Sequence, residues 1–123
     1  MKTISELRVE IHPITLEALD LFVKKVKERE GDNLSKIILF GSVARGEVNI
    51  NSDIDVLVIL KECPFKNKEW IWDISVDVMQ AMDFDDNAYL QTLPISKKSS
   101  EGLDFYALMR NVNMEGVVLY DGS

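Results

Sequence analysis

Two aspartates two positions apart, Asp53 and Asp55, open an apolar segment that continues through Leu60. Side chains at positions i and i+2 of a β-strand point to the same face, so both carboxylates are expected at one end of one strand. Two carboxylates this close repel each other unless a cation lies between them. Mg²⁺ takes one or two carboxylates and completes its shell with water and substrate phosphates. The pair is therefore a candidate metal-binding and catalytic pair.

A glycine and a serine, Gly41 and Ser42, follow the short apolar segment 36–40. Glycine lets a backbone approach a phosphate with no Cβ in the way. If Ser42 opens a short helix over residues 43–45, its hydroxyl and the first amides of that helix face the same anion. Arg45 adds a forked positive donor nearby. This turn is predicted to bind phosphate.

Each motif alone has a simpler interpretation. A lone Asp-x-Asp is usually a solvated strand end, and a lone Gly-Ser is usually a turn. Here the two motifs lie roughly ten residues apart between two apolar segments, and the connecting loop contains Arg45, Gly46 and Ser52. The conjunction favours a phosphate and metal site over two unrelated surface features.

The elements that must position these residues follow from hydrophobic periodicity. Apolar residues at three- and four-residue steps predict a helix from residue 13 to about 30, with Gly31 as its stop. Apolar runs predict strands over 36–40 and 53–60, the second covered on both faces. The remaining expected elements are a helix over 68–84, a strand over 88–95, a helix around 105–112 and a closing strand or extended tail over 117–120. This order predicts an α/β (α+β) fold, a small mixed sheet with helices packed against it.

Segment 68–84 permits two interpretations. Its apolar residues alternate in part like a strand, yet Ile71, Ile74, Val78 and Met82 fit a helical stripe. The length without Gly or Pro exceeds that of a usual strand, which favours a helix. If 73–79 were instead a strand, Asp77 would be a further candidate acid between apolar neighbours.

The composition favours some classes of protein and disfavours others. The 123 residues, 46% hydrophobic and 28% charged, match one soluble domain spanning 1–123. A formal net charge of −7 disfavours extended nucleic-acid binding. Without an apolar run of membrane-spanning length or a signal peptide, no membrane association is predicted and the cytoplasm is the expected location. One cysteine and one histidine cannot build a usual zinc site, so any metal must be held by oxygen.

The motifs together resemble a known family. Residues 40–46 (FGSVARG) and 52–58 (SDIDVLV) are similar to the signature of minimal nucleotidyltransferases of the DNA polymerase beta superfamily. That signature is an apolar strand, Gly-Ser, roughly ten residues and Asp-x-Asp in the next strand. Residues 111–120 also resemble the C-terminal end of this family, so the resemblance covers nearly the whole chain. It implies the nucleotidyltransferase fold.

The resemblance also implies a reaction and its participants. A nucleoside monophosphate would pass from an NTP, expected to be ATP, to a hydroxyl, with two Mg²⁺ ions held by Asp53 and Asp55. Gly41 and Ser42 would hold the phosphates. Small stand-alone members, including antitoxins of the MntA type, pair with an all-helical HEPN-type protein, and some adenylylate it. The expected function is therefore that of an adenylyltransferase antitoxin, whose acceptor pocket a partner subunit or a homodimer could complete.

The predicted nucleotide-binding set contains two further polar residues. Arg45 and Ser52 are predicted to join Gly41 and Ser42 in nucleotide binding. Lys97 and Lys98, after the third strand, could reach a triphosphate if their loop folds over the site, although two loop lysines are usually solvated.

One departure from the family bears on activity. Active members generally add a third carboxylate on the following strand, which assists the attacking hydroxyl. The expected strand 88–95 has none. Its Gln91 could accept a hydrogen bond or weakly ligate a cation but cannot act as a base. The alternative function is therefore a weak or inactive binding module with the same fold, which neutralises its helical partner by direct binding.

Overall fold

The computed structural model describes residues 1–7, 11–46, 53–63, 69–82 and 90–122. Its helices are α1 (Ile4–Leu7), α2 (Pro13–Glu30), α3 (Gly41–Ala44), α4 (Glu69–Ala81), α5 (Lys97–Ser100) and α6 (Tyr106–Glu115). Its strands are β1 (Lys2–Thr3), β2 (Leu34–Phe40), β3 (Ile54–Leu60), β4 (Leu90–Ser96) and β5 (Val117–Asp121). The expected α/β class, with helices on a small mixed sheet, is confirmed.

The strands form one sheet in the order β1-β5-β2-β3-β4. Strand β2 runs antiparallel to both of its neighbours, β3 and β5, whereas β3 and β4 are parallel. The C-terminal end of β2 therefore meets the N-terminal ends of β3 and β4. We call this end of the sheet, at Phe40, Ile54 and Leu90, the site edge. The last residues of β3 and β4, Leu60 and Ser96, pair at the opposite edge.

Helix α2 has the bounds that its sequence predicts. His12 caps it, since its Nδ1 accepts a hydrogen bond from the Ile14 amide at 3.2 Å, and Pro13 occupies the first turn, where a missing amide hydrogen costs nothing. Gly31 ends the helix with a φ of 54°, a conformation that glycine adopts without steric penalty. Local capping chemistry accounts for both ends.

The core lies on both faces of the sheet. The larger cluster joins α2 and α4 to one face, and its fully buried members include Phe22, Val26, Val56, Val58 and Ile71. The smaller cluster joins α6 to the other face through Val112, Ile38, Leu57, Ile59 and Ile95. The alternation along β3 confirms that this strand is covered on both faces. Each fully buried side chain of this kind contributes roughly 1.5–3 kcal/mol, so the fold does not depend on polar groups at the site edge.

The ambiguous segment is a helix, as its length predicts. Ser75 is buried within α4, and its hydroxyl donates to the Ile71 carbonyl at 2.9 Å, a bond between neighbouring helical turns. Asp77 is exposed on this helix. The alternative in which Asp77 becomes a third acid on a strand is therefore wrong.

Two local expectations need correction. The short helix expected at 43–45 is α3 (Gly41–Ala44), and Arg45 is its C-terminal cap residue. Lys97 and Lys98 are exposed in α5 rather than in a loop. Because β4 runs about 20 Å from the site edge to α5 at ~3.3 Å per residue, these lysines lie at the opposite edge and do not approach the site.

No helix in the described part of the chain is long and apolar enough to cross a bilayer.

Candidate nucleotide and metal site

The turn after β2 requires glycine for two independent reasons. Gly41 has a φ of 77°, in the left-handed region that a Cβ disfavours. A Cβ at this position would also collide with Oδ2 of Asp55 and lie 3.2 Å from its Cγ. The backbone of the turn therefore packs directly against the Asp55 carboxylate, and only a residue without a side chain permits this approach.

Helix α3 is a single turn that begins at Gly41, directly after β2. The Arg45 amide donates to the Gly41 carbonyl at 3.2 Å and to the Ser42 carbonyl at 3.1 Å, which closes the turn. Helix α3 contacts both β2 and β3. Ser42 is half-buried in this turn at the site edge. The predicted phosphate-binding turn is thus adjacent to the predicted carboxylate pair.

The two aspartates begin β3. Asp53 immediately precedes the strand and Asp55 is its second residue, and both side chains are half-buried. Burial raises the pKa of Asp55 above its usual range, the negative charge of Asp53 raises it further, and the positive charge of Arg45 lowers it. The repulsion expected between carboxylates on one strand face is therefore present. A cation between them would relieve it.

Arg45 connects the site edge to α6. Its Nη1 donates to Oε2 of Glu115 at 3.1 Å, and both side chains are less than half exposed. Its charge also acts on Asp55. Glu115 is 70 residues away along the chain. Sequence reasoning missed this acid because no local pattern links it to Arg45.

Gln91 contributes differently from the sequence-based expectation. It is the second residue of β4 and pairs with Asp55 in the parallel register. Its Nε2 donates a hydrogen bond to Oδ2 of Asp53 at 2.8 Å. The side chain was expected to accept a hydrogen bond or ligate a cation, and here it supports an acid instead.

The donor set fits magnesium. Two carboxylates supply the hard oxygen atoms that Mg²⁺ prefers, and its octahedral shell is usually completed by water and substrate phosphates. The described residues contain no group of three or more His, Cys, Asp or Glu that could hold a metal ion. Among these residues, Asp53 and Asp55 would hold the ion, and water and substrate phosphates would supply further oxygens. The expectation of two ions stays a prediction.

The structure brings together most of the predicted site. Gly41, Ser42, Arg45, Asp53 and Asp55 all lie at the site edge, where β2 ends and β3 begins. The remaining predicted nucleotide-binding residue, Ser52, lies outside the described residues.

Comparisons with known proteins place this geometry in context. A relative from Methanocaldococcus jannaschii, provisionally named a protein adenylyltransferase, is 31% identical over 104 residues, which are 85% of this chain and 96% of the relative. A second relative from that organism with the same provisional name is 54% identical over 46 residues, or 37% of this chain. The match spans only 31% of that longer relative.

A solved structure shares the fold. A toxin-antitoxin complex with AMP-PNP aligns with a TM-score of 0.55 at 20% identity, over 83% of this chain and 73% of that chain. The sequence model of a protein family, the nucleotidyltransferase domain, matches residues 19–105. This range is more than half of the chain and contains all of the site edge. With the full-length relative and the shared fold, this match shows that the chain belongs to the nucleotidyltransferase domain family.

Proposed function

We propose that this chain is a Mg²⁺-dependent adenylyltransferase that moves AMP from ATP to a hydroxyl of a protein partner. The observation that carries the proposal is the packing of the Gly41 turn against the Asp55 carboxylate, beside Asp53, at one sheet edge. Family membership supports nucleotidyl transfer. The provisional names of the relatives support AMP as the group and a protein as the acceptor.

The residues have separate roles in this proposal. Gly41 and Ser42 bind the triphosphate, because the first turn of α3 presents backbone amides and the Ser42 hydroxyl. Arg45 adds a charge-assisted donor to the same phosphates. Asp53 and Asp55 hold Mg²⁺. Bound Mg²⁺ supplies positive charge that neutralises the reacting phosphate and favours ionisation of the acceptor hydroxyl.

The reaction exchanges one bond to phosphorus for another. The acceptor oxygen attacks the α-phosphorus of ATP, the bond to the β-phosphate breaks, and pyrophosphate leaves. Strand β4 supplies no carboxylate for the acceptor proton, since Gln91 stands beside Asp55. Among the described residues, the aspartate pair is the group placed to take this proton, and solvent or the partner could also accept it.

We infer a helical partner of the HEPN type, with this chain as the antitoxin half of the pair. The resemblance to minimal nucleotidyltransferases and the fold shared with a toxin-antitoxin structure support this assignment. Residues 1–123 are proposed as one nucleotidyltransferase-like domain. A homodimer and a cytoplasmic location stay predictions, and the net charge of −7 still disfavours extended nucleic-acid binding.

The test is AMP incorporation into a purified HEPN-type partner. The wild-type chain, MgCl₂ and ATP labelled at the α-phosphate should label the partner and add the mass of AMP to it. Asp53→Asn combined with Asp55→Asn should abolish the label. A matched control, Asp73→Asn combined with Asp77→Asn, makes the same chemical change at two exposed positions of α4 and should retain it. Equal labelling by both double variants would refute the proposal.

A second candidate is favoured by one observation. Gln91 takes the place beside Asp55 where a third carboxylate would be expected. The chain could then act as a binding module that neutralises its helical partner by direct contact. In that case neutralisation of the partner should be equal with and without MgATP, and the Asp53, Asp55 double variant should neutralise as well as wild type.

A further inference from the structure

Gln91 is linked to the aspartate pair from a separate strand. It lies 38 residues from Asp53 along the chain, yet its Nε2 is 2.8 Å from Oδ2 of that aspartate. The parallel register also sets Gln91 directly beside Asp55. One amide side chain therefore adjoins both proposed metal ligands, and it makes a direct hydrogen bond with one of them.

This bond restrains the carboxylate. A carboxylate that accepts a hydrogen bond from a neighbouring strand loses rotational freedom before any ligand arrives. Outer partners of this kind orient metal ligands, and their removal typically lowers metal affinity by about 10- to 100-fold. Because Gln91 is anchored on a strand of the sheet, it can hold Asp53 in one orientation.

The neutrality of the amide has a second effect. The described charges here are the carboxylates of Asp53 and Asp55 and the ion pair of Arg45 with Glu115, and the positive charge of Arg45 acts on Asp55. Mg²⁺ gives up its water reluctantly and is rarely bound by a complete shell of protein ligands. Two carboxylates partly offset by a guanidinium are a weak site for a cation alone. Phosphate oxygens from a nucleotide would complete the shell.

We propose that Gln91 is a positioning residue that orients Asp53 for the cation and, being neutral, makes cation binding depend on the nucleotide. This inference rests on the proposed function in one respect, that the site binds a nucleoside triphosphate. Beyond that function, the inference states that metal and nucleotide bind cooperatively. The side chain at position 91 determines how strongly nucleotide increases the affinity for the metal.

The test measures binding rather than turnover. In the first titration, Mn²⁺ is added without nucleotide, and its binding is followed by the loss of the electron paramagnetic resonance signal of the free ion. In the second titration, Mg²⁺ and α,β-methylene ATP, which cannot transfer AMP, are added together, and their binding is measured by calorimetry. Gln91→Met keeps the length of the side chain and removes the donor. Gln91→Glu adds a carboxylate. Gln80→Met and Gln80→Glu are matched controls at an exposed position of α4.

The two variants should change binding in different ways. Gln91→Met should weaken Mg²⁺-nucleotide binding about 10-fold or more, because Asp53 loses its hydrogen bond. Gln91→Glu should tighten binding of Mn²⁺ alone about 10-fold and reduce the gain from added nucleotide, because a third anionic ligand becomes available. Both controls should bind as wild type. Thermal unfolding without metal should show that every variant is folded, with a lower midpoint for Gln91→Glu, because a third carboxylate beside Asp53 and Asp55 adds repulsion.

Several results would overturn the inference. Wild-type affinity of Gln91→Met for Mg²⁺-nucleotide would remove the positioning role, and an unchanged affinity of Gln91→Glu for Mn²⁺ would remove the charge role. If Gln91→Met does not fold, Gln91→Ala replaces it in the same titration. Absence of Mg²⁺-nucleotide binding by wild type would overturn both the inference and the proposed function.

The failures of the two proposals are distinguishable. Wild-type binding that depends on Gln91 but leads to no AMP incorporation into the partner would refute the transferase proposal and keep the inference. AMP incorporation with the same KM for ATP in wild type and Gln91→Met would refute the inference and keep the transferase proposal.

Discussion

Two aspartate pairs in this chain have similar local patterns and different surroundings. Asp53 and Asp55 lie two positions apart at the start of β3, and Asp73 and Asp77 share one face of a helix. The strand pair is half-buried, and the neighbouring strand donates to it through Gln91. The helix pair is exposed. Spacing aligns the carboxylates in both cases, but only the sheet edge brings other segments of the chain to them.

The largest expected difference between the pairs is in catalysis. Asp55→Asn should lower AMP incorporation by about 100- to 1,000-fold, a typical loss when one electrostatic contact to a transition state is removed. Asp77→Asn should leave the rate unchanged, because its side chain faces solvent. Initial rates at saturating MgATP measure both. Similar losses in the two variants would show that the strand pair has no special role.

The turn beside the strand pair should be almost as sensitive. Gly41→Ala adds a Cβ that displaces the Asp55 carboxylate, so AMP incorporation should fall by about 100-fold. A positive φ without glycine costs about 1–3 kcal/mol, which predicts a lower free energy of unfolding as well. Initial rates of AMP incorporation measure the loss of activity, and urea denaturation measures the loss of stability.

Gly31→Ala is the control for this prediction. Gly31 also has a positive φ, but a Cβ there meets no atom within 4 Å. The Gly31→Ala variant should lose about 1 kcal/mol of free energy of unfolding and keep full activity. If Gly41→Ala behaves in the same way, the contact with Asp55 is irrelevant to the site.

Arg45 supplies the positive charge beside the strand pair, and its effect should be smaller. Arg45→Met should raise KM for ATP by about 10-fold, since a charge-assisted hydrogen bond to phosphate is worth roughly 1.5–3 kcal/mol. Arg110→Met changes an exposed arginine of α6 and should leave KM unchanged. Steady-state kinetics at varied ATP concentration measures KM for both variants. An unchanged KM in Arg45→Met would remove this residue from the nucleotide site.

The smallest effect concerns stability and pH. The pKa of Asp55 in the folded chain lies above the ordinary value of 3.8, so folding favours its protonated form. Its contribution to stability is present below that value and is lost as pH rises through the folded pKa. At neutral pH without metal, Asp55→Asn should therefore raise Tm. The gain should vanish in acid.

Asp77→Asn is the control for the pH profile. It should show no comparable gain at neutral pH, because Asp77 is exposed on α4. Calorimetric melting curves from acid to neutral pH measure both variants. A Tm difference of Asp55→Asn that stays constant over this range would contradict the raised pKa of Asp55.

Sequence patterns predicted many elements because their causes are local. Proline and histidine at the start of α2 and Gly31 at its end act on neighbouring amides, so both bounds could be derived from the chain alone. The length of segment 68–84 was enough to favour a helix. The exact start of α3 was missed, because a one-turn helix has too few residues for a periodic pattern.

The candidate site was predictable in composition and only partly in geometry. Gly41 and the aspartate pair are separated by roughly ten residues, and consecutive antiparallel strands bring such segments together. The direct approach of Gly41 to Asp55 was not predictable in detail, because it depends on the register in which Phe40 pairs with Asp55.

The sequence by itself determined the longer helices and the four longer strands, the carboxylate pair and the glycine turn, since these depend on side-chain periodicity and on conformational limits of single residues. Only the tertiary structure decided that Gln91 donates to Asp53 and that Glu115 binds Arg45, across 38 and 70 residues. Such contacts depend on the order of strands in the sheet and on where α6 packs. Both are set by the burial of apolar faces on the whole sheet rather than by residues near the site.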